Sequence, residues 1–301
     1  MYPLLRYLAF VLFAFAMNGA YACSQQNCIE ENSWQLGVAI GIGIRSNPLV
    51  DGDNIPLVIL PDIAWYAKNS YFDNGELGYQ WQVNNHYSFE TFIRLDQQRA
   101  LFSFYHPANI LNPSQDVSSL QPLLPETPDE SDEEFDRSGE EKLKYPSSQK
   151  ISINNIAKRK WAINGGIRGH YYSESSEWQA SIENDISNVH QGYVISLSYS
   201  HKWLLNKTQL KLQLGTDWKS EKLIDYYYGI SDRDNSDDTT HYQGTASLEP
   251  YLSLHLLKPI TQDWSLLANM SYKKLPSAMT SSPIVEESSI QRVFIGAAYR
   301  F

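Results

Sequence analysis

The final fourteen residues, Ser288–Phe301 (SSIQRVFIGAAYRF), constrain this chain more than any other segment. Val293, Ile295, Ala297, Tyr299 and Phe301 form one apolar row, and Gly296, Ala298 and Arg300 on the other parity are small or polar. A period of two with one apolar and one polar face describes a strand between lipid and a polar lumen. An aromatic last residue on such a strand is typical of barrels handed to the outer-membrane assembly machinery. Ile295, Ala297, Tyr299 and Phe301 are therefore read as the barrel-closing signal. The competing reading, an edge strand of a soluble sheet, has to be judged on the rest of the chain.

The beginning of the chain points the same way. Arg6, the apolar run Leu8–Met17 and the small-x-small site Ala20-Tyr21-Ala22 are the three parts of a secretory signal, assigned to 1–22. The run is too short for a spanning helix of roughly twenty residues. Cys23 and Cys28, the only cysteines, fall in an N-terminal periplasmic segment, 23–32. Export favours a small disulfide loop between them. Lipidation of Cys23 is the alternative, against which Ala20 stands where a lipoprotein signal usually has Leu.

Between these ends, 33–301 divides into strand-like segments separated by turn residues. Trp34–Ile44 sets Trp34, Leu36, Val38, Ile40, Ile42 and Ile44 against Gln35, Gly37, Ala39, Gly41 and Gly43. Gly41-x-Gly43 is half of a dinucleotide fingerprint, but no helix start follows, so these glycines read as room inside a barrel. Further strands are predicted at Ile55–Trp65, Gly75–Val83, Tyr87–Asp96, Trp161–Tyr171, Trp178–Ile186, Tyr193–Trp203, Thr208–Trp218, Leu223–Ile230, Tyr242–Leu257 and Trp264–Tyr272. The reading is an all-β fold: a closed antiparallel transmembrane β-barrel of about twelve strands, an even number. Closure is obligatory in lipid, where an open sheet edge leaves amides that no water can satisfy. Trp34, Trp161, Trp178, Trp203, Trp218 and Trp264 at strand ends suit membrane interfaces.

Composition is consistent. Aromatic residues make up 13% of the chain, with 20 Tyr and 8 Trp, and charged residues only 19%. Mean hydropathy is −0.41, which would rule against a helical membrane protein but not a barrel, where only alternate residues face lipid. The net charge of −10 and the lack of a basic stripe argue against nucleic acid as a partner.

Counting back from a periplasmic C-terminal end puts Arg45–Asn54, Ser231–His241 and Leu275–Ser288 outside the cell and Gln97–Lys160 in the periplasm. Within that last stretch, 112–149 is a compositional outlier. It carries Pro113, Pro122, Pro125, Pro128 and Pro146, and a dense acidic run from Glu126 to Glu141. Such a segment cannot bury enough apolar surface to order itself and is predicted to be a solvated insert. A periplasmic partner-binding arm is the functional alternative. A calcium loop lacks the required ligand spacing.

No catalytic or cofactor site emerges. His86, His106, His170, His190, His201, His241 and His255 show no metal-ligand spacing on one predicted face, and no G-x-S-x-G nucleophile motif occurs. No cofactor and no enzyme activity are expected. Glu90, Arg94, Asp96, Lys211 and Asp217 fall on inner faces, where they would line a pore or lock a plugged lumen. Tyr226, Tyr227 and Tyr228 read as girdle and packing residues.

Several motifs resemble the MipA/OmpV family, the family of the MltA-interacting protein. They are Tyr226-Tyr227-Tyr228-Gly229-Ile230-Ser231, Pro250-Tyr251-Leu252-Ser253-Leu254 followed by Trp264-Ser265, Tyr272–Leu275, Ser282-Pro283-Ile284-Val285, and Gly296 with Tyr299-Arg300-Phe301. The Leu36–Gly43 stretch after Trp34 also fits, whereas the acidic segment departs from the pattern. The resemblance implies a noncatalytic barrel of the Gram-negative outer membrane, in contact with outer-membrane lipid and inserted by the barrel assembly machinery. It also implies a scaffold for a murein lytic transglycosylase and a murein synthase. The periplasmic turns and Gln97–Lys160 would be the docking surface. A small pore or solute channel, and a surface-exposed binding or adhesion protein, are the alternatives.

Overall fold

A computed structural model describes residues 32–111, 150–234 and 241–301. The signal segment 1–22, Cys23, Cys28 and the acidic run within 112–149 lie outside the described residues.

Twelve antiparallel strands close into one barrel: β1 (Ser33–Arg45), β2 (Ile55–Tyr66), β3 (Ser70–Asp73), β4 (Glu76–Gln82), β5 (Tyr87–Leu95), β6 (Ile163–Tyr172), β7 (Ser176–Asp185), β8 (Tyr193–Leu205), β9 (Thr208–Lys219), β10 (Ser247–Pro259), β11 (Trp264–Lys274) and β12 (Ser289–Arg300). Each strand pairs with its sequence neighbour, and β12 returns to β1 with Ile42 opposite Ile295, Ile40 opposite Ala297 and Val38 opposite Tyr299. The Phe301 N–H donates to the Leu36 carbonyl at 2.9 Å, extending the seam to the last residue. The inner face of this seam is thin by necessity. A Cβ on Gly41 would lie 2.2 Å from the Ile295 carbonyl oxygen, and one on Gly43 would lie 2.8 Å from the Phe294 Cα. That room lets the Phe294 ring lie inside the wall with Leu57, Leu60 and Leu267.

Alternation holds around the wall. Trp34, Leu36, Ile40, Ile42, Leu77, Phe89, Ile167, Ile195, Leu254 and Ile295 are exposed on the lipid side. In β2 the alternation slips at a bulge, where Val58 and Ile59 both point outward and the register with β1 shifts. One end of the barrel carries ring pairs such as Trp178–Tyr199 at 4.8 Å, Trp264–Tyr299 at 5.0 Å and Tyr79–Trp81 at 4.6 Å, an interfacial girdle.

Two expected elements differ, and together they reverse a conclusion. Leu223–Ile230 is not a strand: Glu221–Tyr228 is a helix. Its Leu223, Ile224, Tyr227 and Tyr228 are all buried, a spacing of one, three and one that fits a helical face and not a period of two. Conversely, Ser70–Asp73 is a strand that the sequence reading passed over. It turns into β4 through Asn74-Gly75, both at positive φ (44° and 96°), the signature of a primed hairpin turn. Counting a helix as a strand and omitting a strand leaves twelve, but inverts everything between the two errors. Strand Tyr242–Leu257 also begins later, at Ser247.

The corrected order puts only short connections at the β12 end: 67–69, 83–86, 173–175, 206–207 and 260–263. All long connections, 46–54, 96–162, 220–246 and 275–288, leave from the other end. Outer-membrane barrels keep short turns in the periplasm and long loops outside. The described parts of that connection, 96–111 and 150–162, therefore belong to the extracellular end, contrary to the periplasmic placement of Gln97–Lys160 from the sequence.

Candidate functional site

The long connections fold together over the outer mouth. Besides the 221–228 helix they carry single helical turns at Pro107–Ile110 and Ser277–Thr280. Leu49, Leu101, Leu223, Ile224, Tyr227, Tyr228, Ile230, Met279, Ile284 and Val285 form one buried apolar cluster drawn from the 46–54, 96–162, 220–246 and 275–288 connections. Each buried aliphatic or aromatic side chain contributes on the order of 1.5–3 kcal/mol, so the roof is a small core in its own right. Tyr227 and Tyr228 belong to it and not to the girdle.

Charge fixes the same roof. The Arg159 guanidinium meets Asp234 at 2.6 Å and donates to the carbonyls of Tyr227 and Gly229. Burial opposes ionisation of Asp234, but the hydrogen bond and charge of Arg159 outweigh it and hold the carboxyl below its ordinary value. At the junction with the wall, Asp96 accepts from Gln98 N–H at 2.7 Å and Asn164 at 3.1 Å, with His190 Nε2 3.1 Å away. Burial would raise Asp96, yet these partners, His190 foremost, keep it below the usual carboxylate range.

Below the roof the lumen is lined by ion pairs. Arg168 reaches Glu76 at 2.9 Å and Glu90 at 2.5 Å, and Arg94 reaches Glu183 at 2.8 Å and Glu76 at 3.4 Å. Arg94 on β5 spans to Glu183 on β7 across the glycines of β6. The Phe92 ring lies over Gly166, with the Arg168 guanidinium 4.2 Å from its centroid. On the facing wall Lys219 binds Glu249 at 2.7 Å, and Lys273 bridges Glu249 at 3.0 Å and Asp217 at 3.1 Å. His170 sits between Glu177 at 2.7 Å and Glu90 at 3.1 Å. Between these pairs lie cavities, one of about 300 Å³ under the roof and one of about 240 Å³ at mid-barrel.

Of the inner-face residues expected from the sequence, Glu90, Arg94, Asp96 and Asp217 all enter these networks and Lys211 is buried inside the wall. They cross-link the inner face of the wall. Sequence reading did not name Glu76, Arg168, Glu183, Lys219, Glu249 or Lys273, although each has the inward parity of its strand. Among the described residues no His/Cys/Asp/Glu group is placed to hold a metal. Ile295, Ala297 and Tyr299 form the outward row of β12, and Phe301 is exposed beyond it.

The family described as "MltA-interacting protein MipA" matches residues 36–301. The chain belongs to this family. Outer membrane protein Omp26La of Vibrio anguillarum is 27% identical over 157 residues, 52% of this chain and 61% of that protein. The MltA-interacting protein of Escherichia coli (strain K12) is 23% identical over 160 residues, 53% of this chain and 64% of that protein. The match thus spans less than two thirds of the length of these relatives. Among solved structures, a Pseudomonas aeruginosa FadL homologue aligns at TM-score 0.42 and 10% identity, covering 91% of this chain and 79% of that one. The family and the barrel together place this MipA-family member in the Gram-negative outer membrane.

Proposed function

We propose that this MipA-family barrel is a noncatalytic scaffold that holds a periplasmic murein hydrolase, a lytic transglycosylase, together with a murein synthase at the outer membrane. The observation that carries the reading is the closed interior: an apolar roof covers the outer mouth, and Arg168, Arg94, Lys219 and Lys273 are locked to carboxylates below it. An interior so cross-linked favours a barrel that works through its surfaces over one that passes solute freely. The relative named for its interaction with MltA supplies the class of partner. Since the long loops face outward, the docking surface moves to the periplasmic rim, formed by 67–69, 83–86, 173–175, 206–207 and 260–263. Recruitment acts by effective concentration: a partner tethered at the membrane meets its substrate and its companion enzyme more often.

Periplasmic crosslinking followed by pull-down tests this, comparing the native chain with one whose 83–86 and 260–263 turns are replaced by Gly-Ser. Recovery of a murein hydrolase or synthase with the native chain, and its loss with the turn variant, is the expected result. Recovery of neither enzyme with the native chain overturns the scaffold. Stepwise conductance of the native barrel in a planar bilayer favours a solute channel instead.

A further inference from the structure

Two arginines stand apart from the paired interior. Arg45 and Arg292 are direct cross-strand partners on the β1–β12 seam, both on the inward parity. Like charges directly opposite one another repel, more so where water is scarce. Arg45 donates from Nη1 to the side-chain oxygen of Asn109, which is neutral. Asn109 is fixed for this role, because its Nδ2 donates to the carbonyls of Ala100 at 2.8 Å and Ser103 at 2.9 Å. The Nε and Nη2 of Arg292 are buried with no hydrogen-bond partner.

Both arginines line the 300 Å³ cavity under the roof. The acids facing it are engaged elsewhere: Glu249 by Lys219 and Lys273, Glu76 by Arg168 and Arg94, and Asp73 by the Tyr66 hydroxyl at 2.8 Å. His106 lines the cavity too. Its Nδ1 accepts from Ala108 N–H at 3.1 Å, which puts the ring proton on Nε2, where the Asp96 backbone is a competing acceptor. Burial, reinforced by Arg45, pushes His106 down to about 4, so the ring is a neutral donor at pH 7.

We propose that Arg45 and Arg292 form a binding site for a compact oxyanion, a carboxylate or phosphate group of a small solute. Guanidinium forks match the paired oxygens of such groups, and an anion between the two arginines turns their repulsion into shared attraction. The size of the cavity limits the ligand to a small molecule.

The test uses the full mature chain, refolded in detergent, with folding checked by heat-modifiable gel mobility. Inorganic phosphate and succinate are titrated by calorimetry at constant ionic strength against chloride, into barrel refolded with or without the anion present. Saturable binding of at least one of them is expected, weakened tenfold or more by Arg45→Gln or Arg292→Gln and unchanged by Arg300→Gln. Preference for phosphate or for succinate identifies the headgroup. If Arg292→Gln does not fold, Arg292→Lys replaces it, keeping charge but losing the fork, with weakened binding still expected. No saturable binding of either anion, or affinity unchanged in both Arg45 and Arg292 variants, overturns the site.

Discussion

The Arg159 guanidinium and the Asp234 carboxylate, 75 residues apart in sequence, meet at 2.6 Å with almost no solvent contact. Arg159 lies on the return of the 96–162 connection, and Asp234 follows the 221–228 helix. The pair therefore ties two separate pieces of the roof together, and the same guanidinium satisfies the carbonyls of Tyr227 and Gly229 at the end of that helix. Arg159→Met leaves the buried Asp234 with only the longer, half-exposed contact to Arg233 at 3.4 Å. A cost to the roof somewhat below the ~3–5 kcal/mol of a fully unpaired buried charge is expected. Limited trypsin digestion should then cut within the 150–234 loops of the variant while the strands stay protected and heat-modifiable mobility is retained. Asp234→Asn should act in the same direction, and the double variant should lose less than the two single losses combined.

Gly166 tests how the ion-paired wall is built. A Cβ there would come within 2.7 Å of the Phe92 ring and 2.6 Å of the Ile182 carbonyl oxygen. Gly166→Val should expel Phe92 from its seat, and with it the face over which Arg168 and Arg94 lie. Overpacking of this kind costs typically 1–3 kcal/mol. The expected outcome is a lower urea midpoint for the whole barrel with an unchanged slope, in contrast to Arg159→Met, which loosens the roof alone.

How far the sequence could be read follows from which forces act locally. The lipid-facing rows of β1, β9, β11 and β12 were legible because lipid imposes one strict demand on every second residue. The 221–228 segment was misread because three consecutive tyrosines satisfy either period. Only the tertiary roof, burying Leu223 and Ile224 side by side, selects the helix. Strand β3 was missed although Asn74-Gly75 is a strong hairpin signal. With only four residues, Ser70–Asp73 is too short to display alternation. Inward charges were legible as inward, but their partners lie on other strands, as with Arg94 and Glu183 at a separation of 89 residues, and no local pattern announces them. Arg45 and Arg292 are the extreme case, since their opposition exists only once the barrel has closed.

The corrected placement of the 96–162 connection makes a prediction in whole cells. An epitope inserted at 51–53, in the connection after β1, and one inserted at 206–207, in the turn between β8 and β9, should behave oppositely. Antibody applied to intact cells should label the first and not the second, and permeabilised cells should show both. The reverse pattern would restore the periplasmic placement of Gln97–Lys160.

Acidification should loosen the roof in two stages. His106 is held down to about 4 by burial and by Arg45, from an ordinary value of 6.5. A base whose folded value is depressed binds fewer protons in the folded state, so stability falls as pH drops from about 6.5 toward 4. Full protonation would remove about 3 kcal/mol, as an order of magnitude. Asp96 and Asp234, also held below their ordinary value of 3.8, contribute stability that is lost only at still lower pH. Protease sensitivity of the roof should therefore rise between pH 6.5 and 4.5 in the native chain. His106→Asn should retain the Nδ1-type acceptor toward Ala108 while removing the titrating ring, and its roof should show little change over that window, with loosening confined to lower pH. An identical pH response in the native chain and His106→Asn would show that His106 does not carry the first stage.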